Sequence, residues 1–190
     1  MKIPYRLSLA MLLCSLWAPA WALDLAELTS LLAQRKAGEA RFTEERHVSG
    51  LDAPLRARGT LIFAAPDRFE RRTLEPRAES MVVEGNTLSW RRGDRTRQMS
   101  LDTVPEVTAL IEAVRGTLTG NAASLGRHFL VNVEGSRARW TLTLKPRDER
   151  LATQVLEIKI TGMQADLRLV ELWMSGGDRS LMSIDPLQAR

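Results

Sequence analysis

The sequence predicts a mainly β (α+β) fold in which about ten antiparallel strands curl into a barrel or part-barrel, with one N-terminal helix and one helical insertion near the middle. Three observations predict it. Apolar residues alternate with a period of two over most of the chain, glycine- and proline-centred turn signals separate the alternating runs, and two regions switch to a period of 3.6 residues.

The first 22 residues read as an export signal. Lys2 and Arg6 make a cationic start, Leu7 to Trp17 is almost wholly apolar, and Ala18-Pro19-Ala20-Trp21-Ala22 offers small residues for cleavage after Ala22. The apolar run is shorter than the roughly 20 residues that span a bilayer, which favours a removable signal over a retained anchor. Leu12-Leu13-Cys14 leaves a lipid-anchored form as the alternative, although Leu13 is bulky for that signal. Residues 23–190 are then one exported domain.

Lys and Arg number 27 and Asp and Glu 23, and removal of Lys2 and Arg6 lowers the formal excess from +4 to +2. That balance excludes binding of nucleic acid through the overall field. Cys14 is the single cysteine and leaves with the signal, so the remaining domain has no disulfide, no thiolate nucleophile and no cysteine-based metal site.

Along the domain, Leu25, Leu28, Leu31 and Leu32 fall at helical spacing within Leu23 to Ala37, with Asp24 as N-cap and Gly38 as the stop. Strands follow. Phe42 lies in Arg41 to Val48, Leu61 and Phe63 share a face, and Phe69, Arg71 and Thr73 share another, with Pro66-Asp67 and Pro76 as breaks. Met81 and Val83 face the same side as Leu88 and Trp90 across a Gly85-Asn86 turn, and Met99 and Leu101 continue the meander after Arg92-Gly93-Asp94. Pro105 to Thr119 is helical, with an apolar stripe of Val107, Leu110, Ile111, Val114 and Leu118; Asn121 caps a second short helix over Ala122 to Leu125. Strands then resume. Phe129, Val131 and Val133 share one face, Gly135-Ser136 turns the chain, and Trp140, Leu142 and Leu144 share the next face. Leu156, Ile158 and Ile160 alternate with charges, Gly162 is read as a turn, Leu167 to Met174 is apolar on both faces, and Ser180 to Ile184 follows Gly176-Gly177-Asp178.

So long a sheet with a nearly continuous apolar face encloses something apolar. Periodicity alone weighs equally between filling side chains and a ligand cavity.

Chemistry-bearing patterns are scarce. His47 and His128 have no metal-ligand spacing, no Gly-x-Ser-x-Gly elbow is present, and no glycine-rich phosphate loop or dinucleotide fingerprint follows a strand. An enzyme, a metal and a cofactor are therefore not expected. Asp148-Glu149, between Arg147 and Arg150, reads as a solvated loop, and so does Glu44-Glu45-Arg46. Arginines gather in two stretches, Arg68, Arg71, Arg72 and Arg77, then Arg91, Arg92, Arg95 and Arg97. Interleaved Glu70, Glu75 and Glu79 make a solvated rim the plain reading, and a basic rim meeting anionic head groups or an acidic partner, through Arg68, Arg71 and Arg91, the functional one.

The order and spacing of Phe42-Thr43-Glu44, Gly59-Thr60-Leu61-Ile62-Phe63, Pro66-Asp67-Arg68-Phe69 and Val83-Glu84-Gly85-Asn86-Thr87-Leu88-Ser89-Trp90 resemble the LolA outer-membrane lipoprotein carrier family, over about half of the mature chain, as a divergent branch. The resemblance implies a LolA/LolB-like half-barrel, unclosed and strongly curved, of about 10–11 strands, with helices across its mouth. It further implies a periplasmic, monomeric, non-enzymatic carrier. Such a carrier holds the acyl chains of lipoproteins, receives them from an inner-membrane transporter, touches the membrane transiently and delivers to an outer-membrane acceptor. A dedicated shuttle for another lipid or glycolipid, or a lipid-sensing envelope scaffold, is the alternative. On this reading Leu61, Phe63, Phe69, Met81, Val83, Leu88, Trp90, Met99 and Trp140 face the lipid, and Leu110, Ile111, Val114 and Leu118 belong to the lid. Two departures stand out. Ala65 replaces the family arginine associated with holding the lid closed, with Arg68 three positions on, and Arg71 occupies the place of a common aromatic.

Overall fold

A computed structural model describes residues 23–187, so the signal assigned to residues 1–22 lies outside the described residues. Helix α1 (Leu25–Leu32) precedes six strands, β1 (Ala37–His47), β2 (Leu55–Ala64), β3 (Arg68–Glu75), β4 (Glu79–Glu84), β5 (Thr87–Arg92) and β6 (Arg95–Ser100). A 3-10 turn at Leu101–Thr103, α2 (Pro105–Leu118) and α3 (Ala122–His128) then lead to β7 (Phe129–Ser136) and β8 (Arg139–Pro146). The one-turn α4 (Glu149–Ala152), β9 (Val155–Met163), β10 (Asp166–Met174) and β11 (Arg179–Pro186) complete the chain.

All eleven strands form one antiparallel sheet in the order β6-β5-β4-β3-β2-β1-β11-β10-β9-β8-β7. Two meanders are fused where β1 pairs with β11, from Ala40 opposite Pro186 to His47 opposite Arg179. The edge strands β6 and β7 do not pair among the described residues, so the sheet stays open, and the segment carrying α2 and α3 joins one edge to the other.

Local rules explain most boundaries, and sheet pairing overrides some. Asp24 Oδ1 accepts the Glu27 N–H at 2.7 Å, the expected N-cap. The helix nevertheless ends at Leu32 rather than at Gly38, because Ala37 and Gly38 are taken into the ladder opposite Ala64 and Phe63. Gly135 and Gly162 lie inside strands instead of turning the chain; the reversals fall one or two residues later, at Arg137-Ala138 and Gln164-Ala165. Gly162 is needed for a different reason. A Cβ there would stand 2.1 Å from Cζ2 and 2.5 Å from Cε2 of Trp140, whose indole occupies that space. In β10 the register slips between Leu167 and Leu169, which carries Leu167, Val170 and Leu172 onto one face and accounts for a run that looks apolar on both. Asp148 caps α4 by accepting the Leu151 N–H at 2.8 Å, so the expected solvated loop is a helical turn.

The interior is divided. Trp140, Leu142, Leu144, Ile158 and Ile160 from β8 and β9 are sealed under Leu28, Leu32, Ala109, Ala113 and Leu125 of the helices. A smaller cluster at the other end joins Val83, Leu88, Leu101 and Ile111, with Phe69, Met81 and Met99 packed against it. Between them, the face of β1, β2, β3, β10 and β11 that meets α2 is left without a filling layer among the described residues.

Candidate functional site

That unfilled centre is a cavity of about 200 Å³. Leu61, Phe63, Phe69 and Met81 form one wall, Leu167, Val170, Leu172, Met182 and Ile184 the opposite one, and the α2 stripe of Val107, Leu110, Ile111, Val114 and Leu118 the roof. Its volume lies below the roughly 300–1,000 Å³ of ordinary small-molecule pockets. A long acyl chain therefore enters only if the roof moves.

The roof is fastened to the β4–β5 turn at two points. Leu101 donates its N–H to the Asn86 carbonyl at 3.0 Å, and Arg115 Nη2, from the last turns of α2, donates to the Gly85 carbonyl at 2.8 Å while Nη1 pairs with Glu112 at 2.9 Å. Asn86 Nδ2 also donates to Ser100 Oγ and to Asp102, both at 2.9 Å. The Asn86 and Ser100 contacts hold the Asp102 carboxyl below its usual range. Arg68 takes no part in this fastening. Its guanidinium pairs with Glu84 and, at 3.1 Å, with Glu70.

Glu44 and Arg71 bring charge into the cavity wall. Glu44 Oε2 accepts from Arg71 Nη2 at 2.6 Å, Oε1 accepts from Ser180 Oγ at 2.5 Å, and Arg46 Nη2 stands 3.9 Å away. Burial pushes the Glu44 carboxyl up, but Arg71, the Ser180 hydroxyl and Arg46 together outweigh it and leave the group below its ordinary value. Glu44 is only 7% exposed, so the expectation of a solvated Glu44-Glu45-Arg46 segment is corrected: strand alternation turns Glu44 inward and Glu45 outward. Arg71 lies 4.6 Å above the Phe42 ring. Gly59 makes room below, since a Cβ there would meet the Arg72 carbonyl oxygen at 1.8 Å and Phe42 Cε1 at 3.0 Å.

The sequence-assigned residues thus divide by position. Leu61, Phe63, Phe69, Met81, Leu110, Ile111, Val114 and Leu118 line the cavity. Val83, Leu88 and Met99 belong to the small end cluster, and Trp140 is fully buried in the main core with Nε1 donating to the Gln164 carbonyl at 2.9 Å. Trp90 lies beyond the cavity, donating to Glu79 at 3.2 Å with Arg92 stacked 4.5 Å from its ring. Among the three rim arginines, Arg91 is exposed on the convex side, Arg68 is held by its two glutamates, and Arg71 points into the cavity. The wall from β10 and β11 escaped sequence reading, although Met182 and Ile184 alternate with Ser180 and were open to the same argument as Leu61 and Phe63.

The family model for outer membrane lipoprotein carrier protein LolA-like proteins matches residues 17–183. No curated protein matches the chain by sequence. Among solved structures, a LolA superfamily protein from Nitrosomonas europaea aligns at 10% identity over 89% of this chain and 95% of its own, with a TM-score of 0.47. A Vibrio parahaemolyticus domain described as outer membrane lipoprotein-sorting aligns at 9% identity over 87% and 91%, with a TM-score of 0.47. A chain of the MucA/MucB complex of Pseudomonas aeruginosa aligns at 15% identity over 88% and 59%, with a TM-score of 0.46.

Proposed function

Because this chain belongs to the LolA-like family of outer membrane lipoprotein carrier proteins, we propose that it is a periplasmic, non-enzymatic carrier that holds the acyl chains of lipoproteins in the cavity beneath α2 and passes them from an inner-membrane donor to an outer-membrane acceptor. The observation that carries this reading is the cavity itself, lined mainly by apolar side chains on both walls and roof and covered by a helix fastened through a few hydrogen bonds. Each acyl methylene exposed to water costs about 0.8 kcal/mol, so chains of lipoprotein length do not cross an aqueous space unescorted. Enclosure removes that barrier with no covalent step. Transfer then requires only an acceptor with higher affinity for the chains, or one that binds the open-roofed state.

Native mass spectrometry of the protein recovered from the periplasm, with extraction of whatever is bound, tests the reading. A bound acylated protein is the expected result. Protein recovered empty, together with normal lipoprotein sorting after deletion, overturns it. The Glu44–Arg71 pair in the wall favours a second reading, a shuttle for another lipid or glycolipid, and a bound lipid free of protein is its signature.

A further inference from the structure

The concave face carries a band of arginine for which acyl chains alone have no use. Arg71 lies opposite Met81, Met81 opposite Trp90, and Trp90 opposite Arg97, so Arg71 and Arg97 share one row and one face across β3 to β6. Arg92 and Arg95 form the next row outward. With Arg46, five arginines of β1 and β3 to β6 stand on this face, and among the described residues Glu44 and Glu79 take Arg71 and Arg92 as partners. Arg95 and Arg97 are exposed and, among the described residues, have no carboxylate within ion-pair distance. Arg71 spends one N–H on Glu44, has no second hydrogen-bond partner among the described residues, and lines the cavity.

We propose that the cargo is an amphiphile with a phosphate-bearing head group, its chains beneath α2 and its phosphate on Arg71, a proposal that rests on the lipid-shuttle reading above and not on lipoprotein cargo. The guanidinium is suited to a phosphate because it offers paired donors in one plane and keeps its charge when partly dehydrated. Glu44 and the Phe42 ring fix its plane in advance, so little side-chain freedom is lost on binding. Arg97 is three strand spacings away, about 14 Å, too far to share one phosphate with Arg71. Arg95 and Arg97 instead set a positive field at the mouth that draws the head group in.

The test offers the protein phosphatidylcholine vesicles doped with either dioleoyl phosphatidic acid or dioleoylglycerol, which differ in the phosphate alone, and reads the loaded protein by native mass spectrometry. We expect phosphatidic acid to load about tenfold over dioleoylglycerol. In the double variant Glu44→Gln with Arg71→Gln, which leaves no orphaned charge, that ratio falls to near one. The exposed pair Arg95→Gln with Arg97→Gln slows phosphatidic acid uptake severalfold at low salt and flattens its salt dependence. A ratio near one in the wild type, or one unmoved by both pairs, overturns the proposal. Tight binding of inorganic phosphate at Arg71 that is independent of any lipid overturns it in favour of a free-phosphate site. If neither lipid loads, the phosphate proposal and the lipid-shuttle reading fail, while the lipoprotein reading stands or falls on the recovered cargo.

Discussion

Arg71 on β3 reaches past β2 to Glu44 on β1, closing at 2.6 Å a contact between two strands that are not sheet neighbours. The reach is open because Gly59, in the intervening strand, presents no side chain to that face. The pair thus braces β1 against β3 at the wall of the cavity.

Removing Arg71 alone, by Arg71→Met, strands a buried carboxylate and is expected to cost on the order of 3 kcal/mol. Adding Glu44→Gln recovers part of that loss. Urea denaturation of the two single variants and the double checks it: effects that simply add show that the two groups do not interact.

Stability is expected to fall in acid chiefly through two buried carboxylates, Glu44 and Glu70. Glu44 and Glu70 both titrate below the ordinary 4.5, Glu70 because Arg72, against its burial, and Arg68 hold it ionised. A depressed folded value means that the stabilisation is whole above pH 4.5 and drains away as pH drops below it toward the folded values. The melting temperature should therefore hold steady down to about pH 5 and decline beneath. Glu44→Gln and Glu70→Gln should each make that decline shallower.

Arg115→Met removes the bond from the α2 roof to the Gly85 carbonyl. A hydrogen bond to a charged group is worth about 1.5–3 kcal/mol, and solvent at this partly exposed site reduces it to about 1 kcal/mol. Hydrogen exchange should quicken in 105–118 by roughly fivefold, with little change in β8 and β9. Equal protection in variant and wild type would show that the roof is held by apolar contact alone.

Lining and filling residues should respond in opposite ways. Trp140→Ala empties a sealed core and should cost about 3–5 kcal/mol. Phe69→Ala only enlarges a space that already exists, so it should cost less than half as much, while acyl-chain uptake changes. Chemical denaturation paired with lipid loading separates the two, and a Phe69→Ala loss as large as that of Trp140→Ala would make Phe69 ordinary core.

Alternation made the strands, the α2 stripe and four wall residues legible, because a pleated strand with one wet face must repeat every two residues. It could not separate Phe69 from Trp140. Both are large apolar residues at inward positions, and whether a helix covers them depends on where α1, α2 and α3 land, which pattern does not encode. Glu44 was misread for a related reason: a carboxylate inside an apolar wall is stable only with Arg71 and Ser180 beside it, residues 27 and 136 positions away in the chain. Arg115 left no trace either, since its acceptor is a backbone carbonyl and any residue at position 85 would supply one. Gly162 shows the limit of reading glycine as a turn, because here it yields space to an indole within a strand.

The segment bearing α2 and α3 runs from one free edge of the sheet to the other, like the string of a bow. A roof tied at both ends cannot swing aside as a door does. It rises only as the limbs spread, so the room beneath the helix and the bend of the whole sheet are a single mechanical variable. A bulky cargo would flatten the bow and widen the gap between β6 and β7, and the outer surface would thereby report whether the carrier is full.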